Sequence, residues 1–504
     1  MKLNNYGRYL WTTLTYSKMN GCNRLLKYEI VAKIREYRHI VIFVFNYIYS
    51  NLKNMQIINW QQFGLKKNPY DTLPLVEGGD LPIEKAFVGR EKEKEFLNVL
   101  FESESRLCLT ICGDVGVGKT SLANFHKFVW KYNKQKLLFS FRREMEACED
   151  LLNKKSFLIE IIGSVLREIK LLQPDLLKNE LLLKLNQIVD ISQTIAMSGG
   201  ISILGSGIDF GRDKTSIPPI QLSTSSLEEY FVSLVDFLKK NEIKGRKYSG
   251  LIIHVNNFDV VLSDDKMKKQ VINFFNEIRD ILQIQDVYFL FLGPKNFFKD
   301  VISTQQRVKS IFYQIPLKIE PLSKKEIVAA FEERMKLLQS SDVSSYIKPI
   351  ENEVIFRLYD LYRGDIRSMM SAVRAILSQC SDKLTKSLSL DEAMLLLGEE
   401  RWEKIKMAVK LTEEQEAILS YLIKKDTISQ KEIIDNFNKT QSNVSGYYFK
   451  PLRDAGIIEE KEKTGKVQYW GLTDDYIPLK WLFESQKKIE QDINQKTNQL
   501  PLEF

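Results

Sequence analysis

Between Leu107 and Ser121 the chain reads Leu-Cys-Leu-Thr-Ile-Cys-Gly-Asp-Val-Gly-Val-Gly-Lys-Thr-Ser, an apolar run that passes straight into the spacing G-x-x-x-x-G-K-T. A loop of this spacing must turn its backbone N–H groups inward around an anion, and several of the backbone angles it needs are open only to glycine. The pattern predicts a strand, a phosphate-binding loop over Gly113, Asp114, Val115, Gly116, Val117, Gly118, Lys119 and Thr120, and a helix running on from Ser121. Lys119 then reaches the β- and γ-phosphates of a nucleoside triphosphate, the Thr120 hydroxyl meets Mg²⁺, and the helix N-terminus faces the charge. ATP and Mg²⁺ are the expected ligands.

Composition sets looser bounds. With 504 residues, 44% apolar and 27% charged, the chain suits two to four soluble domains, each with its own core. The formal charge is +8, yet residues 1–54 hold nine Lys/Arg against Glu29 and Glu36, so the remainder is nearly neutral. Net charge therefore says little about partners of the folded body. Residues 40–49 are apolar and aromatic but far shorter than the ~20 residues a spanning helix needs, and no membrane span is expected. Segment 1–54 fits either a basic interfacial arm or an extension ahead of a working start at Met55. Cys22, Cys108, Cys112, Cys148 and Cys380 form no C-x-x-C pair, which points to a reducing, cytoplasmic setting and no cysteine metal site.

The order of apolar patterns extends this reading. After a lead-in over 55–86, strand patterns at 107–113, 136–141, 250–255 and 286–292 alternate with helical patterns at 156–170, 176–188 and 267–282. Short β-branched or aromatic runs between helices predict an α/β, three-layer domain over 87–318 with a parallel sheet covered on both faces. Residues 198–211 are Gly/Ser-rich and read as a hairpin or a flexible insertion. Beyond Pro316 the pattern turns helical at 324–338, 353–361, 366–377 and 390–397, an all-α lid over 319–408. A small module over 409–475 and a helical tail over 476–504 complete the chain.

Phe87-Val-Gly-Arg-Glu91 stands ahead of the loop. Arg307-Val-Lys-Ser-Ile-Phe312, Pro321-Leu-Ser-Lys-Lys-Glu-Ile327 with Arg334 beyond, and Gly364-Asp-Ile-Arg367 follow it. Over roughly residues 87–475 this order resembles the AAA+ ATPases of the origin-recognition and initiator type, and the related STAND signal-transduction NTPases. The resemblance implies that Arg307 is an arginine finger and that Arg367 reaches the γ-phosphate from the lid. Their plainer readings are a surface helix charge for Arg307 and a capped helix start at Asp365 for Arg367.

The chain departs from that family in its second acidic motif. Where Asp-Glu-x-Asp is expected after an apolar strand, it has Ile252-Ile-His-Val-Asn-Asn-Phe-Asp259. Asn256 can offer a carbonyl oxygen toward Mg²⁺ but brings no charge, and Asn257 cannot accept a proton at neutral pH. Hydrolysis of ATP is expected to be weak or slow unless Asp259 or another acid substitutes. The polar residue expected after the next strand is also replaced, by Gly293, with Asn296 nearby. The acidic run 272–280 reads as a helix, and His254 as a packed core residue.

Helical patterns at 413–422, 429–437 and 440–453, followed by a two-stranded turn around 463–466, resemble a MarR-like winged helix-turn-helix. That resemblance implies that Gln441, Ser442, Asn443, Ser445 and Tyr447 face bases or phosphates, with Lys450 and the wing Lys466 on the backbone. Residues 411–475 hold nine basic and twelve acidic residues, which suits a protein contact; residues 439–453 hold three basic residues and no acid, which suits DNA. The expected function is an ATP-controlled switch that binds DNA, as a homo-oligomer or with a partner protein. The alternative is a STAND-like signalling or defence NTPase whose winged helix makes protein contacts only.

Overall fold

A computed structural model describes residues 58–132, 136–198, 223–380, 384, 386–464 and 467–485. Segment 1–54, the Gly/Ser-rich stretch after residue 198 and Lys466 lie outside the described residues. Two units divide the chain. Trp60–Ile376 with Leu384–Phe504 form the body described below, and Met1–Asn59 with Leu377–Lys383 form the other, most of it outside the described residues.

The body opens with the lead-in and helix α1 (Glu91–Ser103), then strand β1 (Leu107–Gly113) and helix α2 (Lys119–Tyr132). Strands β2 (Leu138–Ser140) and β3 (Met145–Glu146) precede helices α3 (Lys154–Leu172), α4 (Glu180–Ser198) and α5 (Thr224–Lys240). Strand β4 (Gly250–Asn256), helix α6 (Asp265–Glu277), strand β5 (Val287–Gly293) and strand β6 (Leu317–Ile319) complete this part. The sheet runs β2-β4-β5-β1-β6 with every pair parallel, and β3 also pairs with β4. Helix α5 and strand β6 were not anticipated; β6 is three residues long and sits beyond the proline where the pattern turns helical.

Alternation along the central strands gives the sheet its two covered faces. In β5, Tyr288, Leu290 and Leu292 join one core with Leu107, Leu109 and Ile111 of β1, while Phe289 and Phe291 join the other with Cys108 and Cys112. Successive side chains on a strand point to opposite faces, so a continuously apolar strand requires helices on both. Cys108 and Cys112 are buried thiols whose pKa burial raises, and fully buried His254 is held neutral because burial pushes its pKa well down. Run 272–280 is helical for most of its length, in α6.

The lid comprises α7 (Lys324–Leu338), α8 (Asn352–Leu361), α9 (Ile366–Cys380) and α10 (Leu390–Ala408). Then come α11 (Glu413–Lys425), β7 (Thr427–Ser429), α12 (Gln430–Phe437), a third helix over 441–454 called α13, and strands β8 (Ile458–Thr464) and β9 (Val467–Leu472). The expected two-stranded turn is a three-stranded antiparallel sheet, β7-β9-β8, because Thr427–Ser429 pairs with Tyr469 to Gly471. The order is helix–strand–helix–helix–hairpin, with the hairpin and β7 forming one sheet. Capping boxes at Ser323/Glu326, Thr412/Gln415 and Ser429/Glu432 start α7, α11 and α12, each satisfying two otherwise orphaned backbone donors. Among the described residues, no helix is long and apolar enough to cross a membrane.

Candidate functional site: a glycine-rich loop beneath a helical region

Strand β1 delivers the loop to the C-terminal edge of the parallel sheet, where ligands of open α/β folds bind. Gly116 and Gly118 adopt φ of +76° and +97°, a region costly for side-chain-bearing residues. Arg90, 6% exposed, pins the loop from outside: its Nη2 donates to the Val117 carbonyl at 2.8 Å. That contact gives the Gly-Arg of the upstream motif a physical role. Lys119 Nζ donates to the carbonyls of Gly113 at 2.9 Å and Asp114 at 2.8 Å. Burial lowers the Lys119 pKa, nearby Asp259 and Asp114 oppose that, and Arg367 adds to it.

The cavity over this loop is lined by Val115, Gly116, Val117, Gly118, Lys119, Thr120 and Ser121, by Asn256, Asn257 and Asp259, and by Arg367. Its other walls come from the lead-in, through Asp71, Thr72, Leu73, Pro74 and Leu75, and from lid residues including Ile327, Phe331, Arg334 and Met370. The lead-in is held there by Ser121 Oγ, which accepts from Leu75 N at 3.3 Å, and by Asn124 Nδ2, which donates to the Leu75 carbonyl at 3.0 Å. Arg334 donates to the carbonyls of Pro69 and Asp71, both at 3.2 Å, and burial lowers its pKa to about 10. Polar groups at one end and apolar walls at the other suit a ligand with a charged tail and a flat apolar head. Neither Arg307, which is exposed, nor Asn296 is among the cavity-lining residues.

Asn256 meets Thr120 through its amide: Nδ2 lies 2.9 Å from Thr120 Oγ1 and 3.0 Å from Glu144 Oε2. Glu144, between β2 and β3, also accepts from Asn124 Nδ2 through Oε1 at 3.0 Å. Nothing in the local sequence around Glu144 marks it, because the contact depends on β3 pairing beside β4. Asn257 sits at φ +63°, ψ +24°, a left-handed conformation that asparagine tolerates well. Among the described residues no group of three or more His, Cys, Asp or Glu could cage a metal, so a cation here would depend on the Thr120 hydroxyl, nearby acids and a ligand's phosphates.

The loop joining α8 to α9 touches both the Gly116 loop and the segment that follows β9. A Cβ built on Gly116 would lie 1.7 Å from Asp365 Oδ1, so that carboxylate rests directly on the phosphate loop. Asp365 also starts α9, accepting from Arg367 N at 2.9 Å and Ser368 N at 3.2 Å. Four residues or fewer away, Tyr362 Oη donates to Asp475 Oδ1 at 2.9 Å, and Arg363 holds Asp474 by two contacts of 3.0 and 3.1 Å. Buried Arg401 of α10 adds a 3.0 Å pair to Asp475. Asp474 and Asp475 follow β9 after one residue, Thr473.

On α13, Gln441, Ser442, Asn443, Ser445, Tyr447 and Lys450 are all exposed, whereas Val444, Tyr448, Phe449 and Leu452 enter the module's core. The helix widens to a π-turn over Val444–Phe449. Pro451 lacks the N–H that would bond the Tyr447 carbonyl, and buried Gln415 supplies the donor instead, its Nε2 at 2.9 Å.

No family model matches the sequence, and no curated protein matches it. Solved structures do. The chain is similar to origin-recognition proteins. Against the Aeropyrum pernix ORC1 protein in complex with DNA, identity is 13% and the TM-score 0.42, covering 85% of this chain and 99% of that one. Against the Aeropyrum pernix ORC2 protein in its ADPNP–ADP complexes, identity is 15% and the TM-score 0.42, covering 85% and 100%. Against Drosophila ORC bound to DNA, identity is 12% and the TM-score 0.38, covering 82% and 90%.

Proposed function

We propose that this chain is an ATP-held switch that binds DNA through α13. The observation that carries the reading is the loop Tyr362 to Arg367: its Asp365 lies on Gly116 and its Arg363 grips Asp474 at the foot of the wing hairpin. A triphosphate on the loop displaces Lys119 from its two carbonyls onto phosphate and draws Arg367 inward, and the same short segment passes the movement to the winged module. Thr120 meets Mg²⁺, as in phosphate loops generally. With amides at Asn256 and Asn257, the end of β4 offers no carboxylate to polarise an attacking water, so turnover is slow and the bound state persists. The exposure of Arg307 fits a role at a neighbour's site in an oligomer.

The exposed polar face of α13 favours DNA over an internal protein contact, since a module that held the molecule shut through this face would bury it. The test is DNA affinity of the full chain over a salt series, with and without ATP. Phosphate contacts make affinity fall with salt, so binding that is salt-dependent and shifted by ATP is the expected result. Absence of salt-dependent binding in both states refutes the DNA reading.

A further inference from the structure

The strand that ends at Asn256 carries no acid, yet a carboxylate stands one amide away from Thr120. Glu144 Oε2 accepts from Asn256 Nδ2 at 3.0 Å, and the same nitrogen lies 2.9 Å from Thr120 Oγ1. A carboxylate is acceptor-only when ionised, so it turns the amide nitrogen, not the carbonyl, toward both neighbours. Asn256 thus spends its two N–H bonds on Glu144 and Thr120. The second Glu144 oxygen is held by Asn124 Nδ2 at 3.0 Å, and Asn124 is 4% exposed, fixed in turn on the Leu75 carbonyl. Glu144 is therefore rigidly aimed rather than a stray surface acid.

We infer that Glu144 is the positioning carboxylate for Mg²⁺ at this site, supplying from the β2–β3 connection the negative charge that β4 lacks and acting on Thr120 through Asn256. Mg²⁺ at phosphate sites keeps several waters and takes one or two carboxylates besides the phosphates. A carboxylate behind the first ligands serves by hydrogen-bonding those waters and orienting the ligands themselves. The amide stands at the end of β4 and the acid on the neighbouring β2–β3 connection. This inference rests on the nucleotide reading above.

The experiment is a titration of the full chain with a fluorescent ATP analogue, in Mg²⁺ and in EDTA, for the unaltered protein, Glu144→Gln and the exchange variant Glu144→Gln/Asn256→Asp. The quantity read is the ratio of the two affinities. It is expected to fall about tenfold or more in Glu144→Gln, as for other second-layer partners of a metal, and to recover in the exchange variant, which returns the acid to β4. Recovery excludes a mere folding defect in the single variant. The Mn²⁺ electron paramagnetic resonance spectrum of the nucleotide-bound protein changes in the same order. An unchanged Mg²⁺ ratio in Glu144→Gln overturns the inference while leaving nucleotide binding intact, as does a loss that the exchange variant does not recover. Failure of the unaltered protein to bind the analogue in either condition overturns the nucleotide reading itself.

Discussion

Asp365 of the lid and Gly116 of the phosphate loop are packed so closely that a methyl group on Gly116 would fall 1.7 Å from the carboxylate oxygen. The glycine is needed twice over, for this approach and for its φ of +76°. Gly116→Ala is expected to weaken ATP binding by tenfold or more in equilibrium titration. An affinity within twofold of the unaltered protein shows that the lid does not close on this loop.

Among the described residues, the hydrogen-bond partners of Lys119 Nζ are two carbonyls of its own loop, and these cannot hold a phosphate in its place. Lys119→Ala should abolish ATP binding as measured by calorimetry. Unchanged affinity removes the basis for assigning the loop.

Turnover should run well below ~1 s⁻¹ per subunit, beneath the usual enzyme range. Asn257→Glu is expected to raise it, at a cost of about 1 kcal/mol in stability because glutamate tolerates the left-handed φ of +63° less well than asparagine. Brisk turnover that disappears in Asn257→Ala contradicts this account of the site.

The Arg363–Asp474 pair, 72% and 28% exposed, links the loop joining α8 to α9 with the C-terminal module. Because exposed pairs contribute little to stability, Asp474→Ala should fold normally and keep both ATP and DNA affinity. What it should lose is the effect of ATP on DNA binding, read from paired titrations. An intact ATP effect sends the coupling elsewhere.

Lys127, 4% exposed on α2, has its pKa lowered to about 8 by burial, with Glu144 the largest of the acids opposing the shift. Its charged form is disfavoured in the folded state, so below pH 8 the unfolded chain binds the proton more tightly and the whole penalty is present. From pH 8 to about 10.4, the ordinary lysine value, that penalty is relieved and stability rises by up to ~3 kcal/mol. Lys127→Met lacks this rise, and chemical denaturation across the range should show the difference between the two proteins shrinking as pH increases. A constant difference refutes the assigned ionisation.

Much of the fold was legible because its signals are local. Helix α7 occupies 324–338 as its periodicity predicts, and the Ser323 and Thr412 capping boxes lie within three residues of their partners. Strand β6 leaves no legible signal because three residues carry too little periodicity, whereas α5 does keep helical spacing at Leu227, Phe231, Leu234, Val235 and Leu238. Strand β7 was missed for want of its partner: Thr427–Ser429 becomes a strand only when Tyr469 to Gly471 lies alongside.

The glycine-rich loop, its flanking strand and helix, and the absence of acids in β4 were all determined by the sequence, because backbone freedom and side-chain chemistry at adjacent positions suffice to state them. Tertiary structure alone decided what surrounds that loop. Glu144 and Asn256 stand 112 residues apart in the chain, and Arg363 and Asp474 stand 111 apart. Contacts at such separation follow from which strands pair and which helices pack, and leave no periodic trace in the residues themselves.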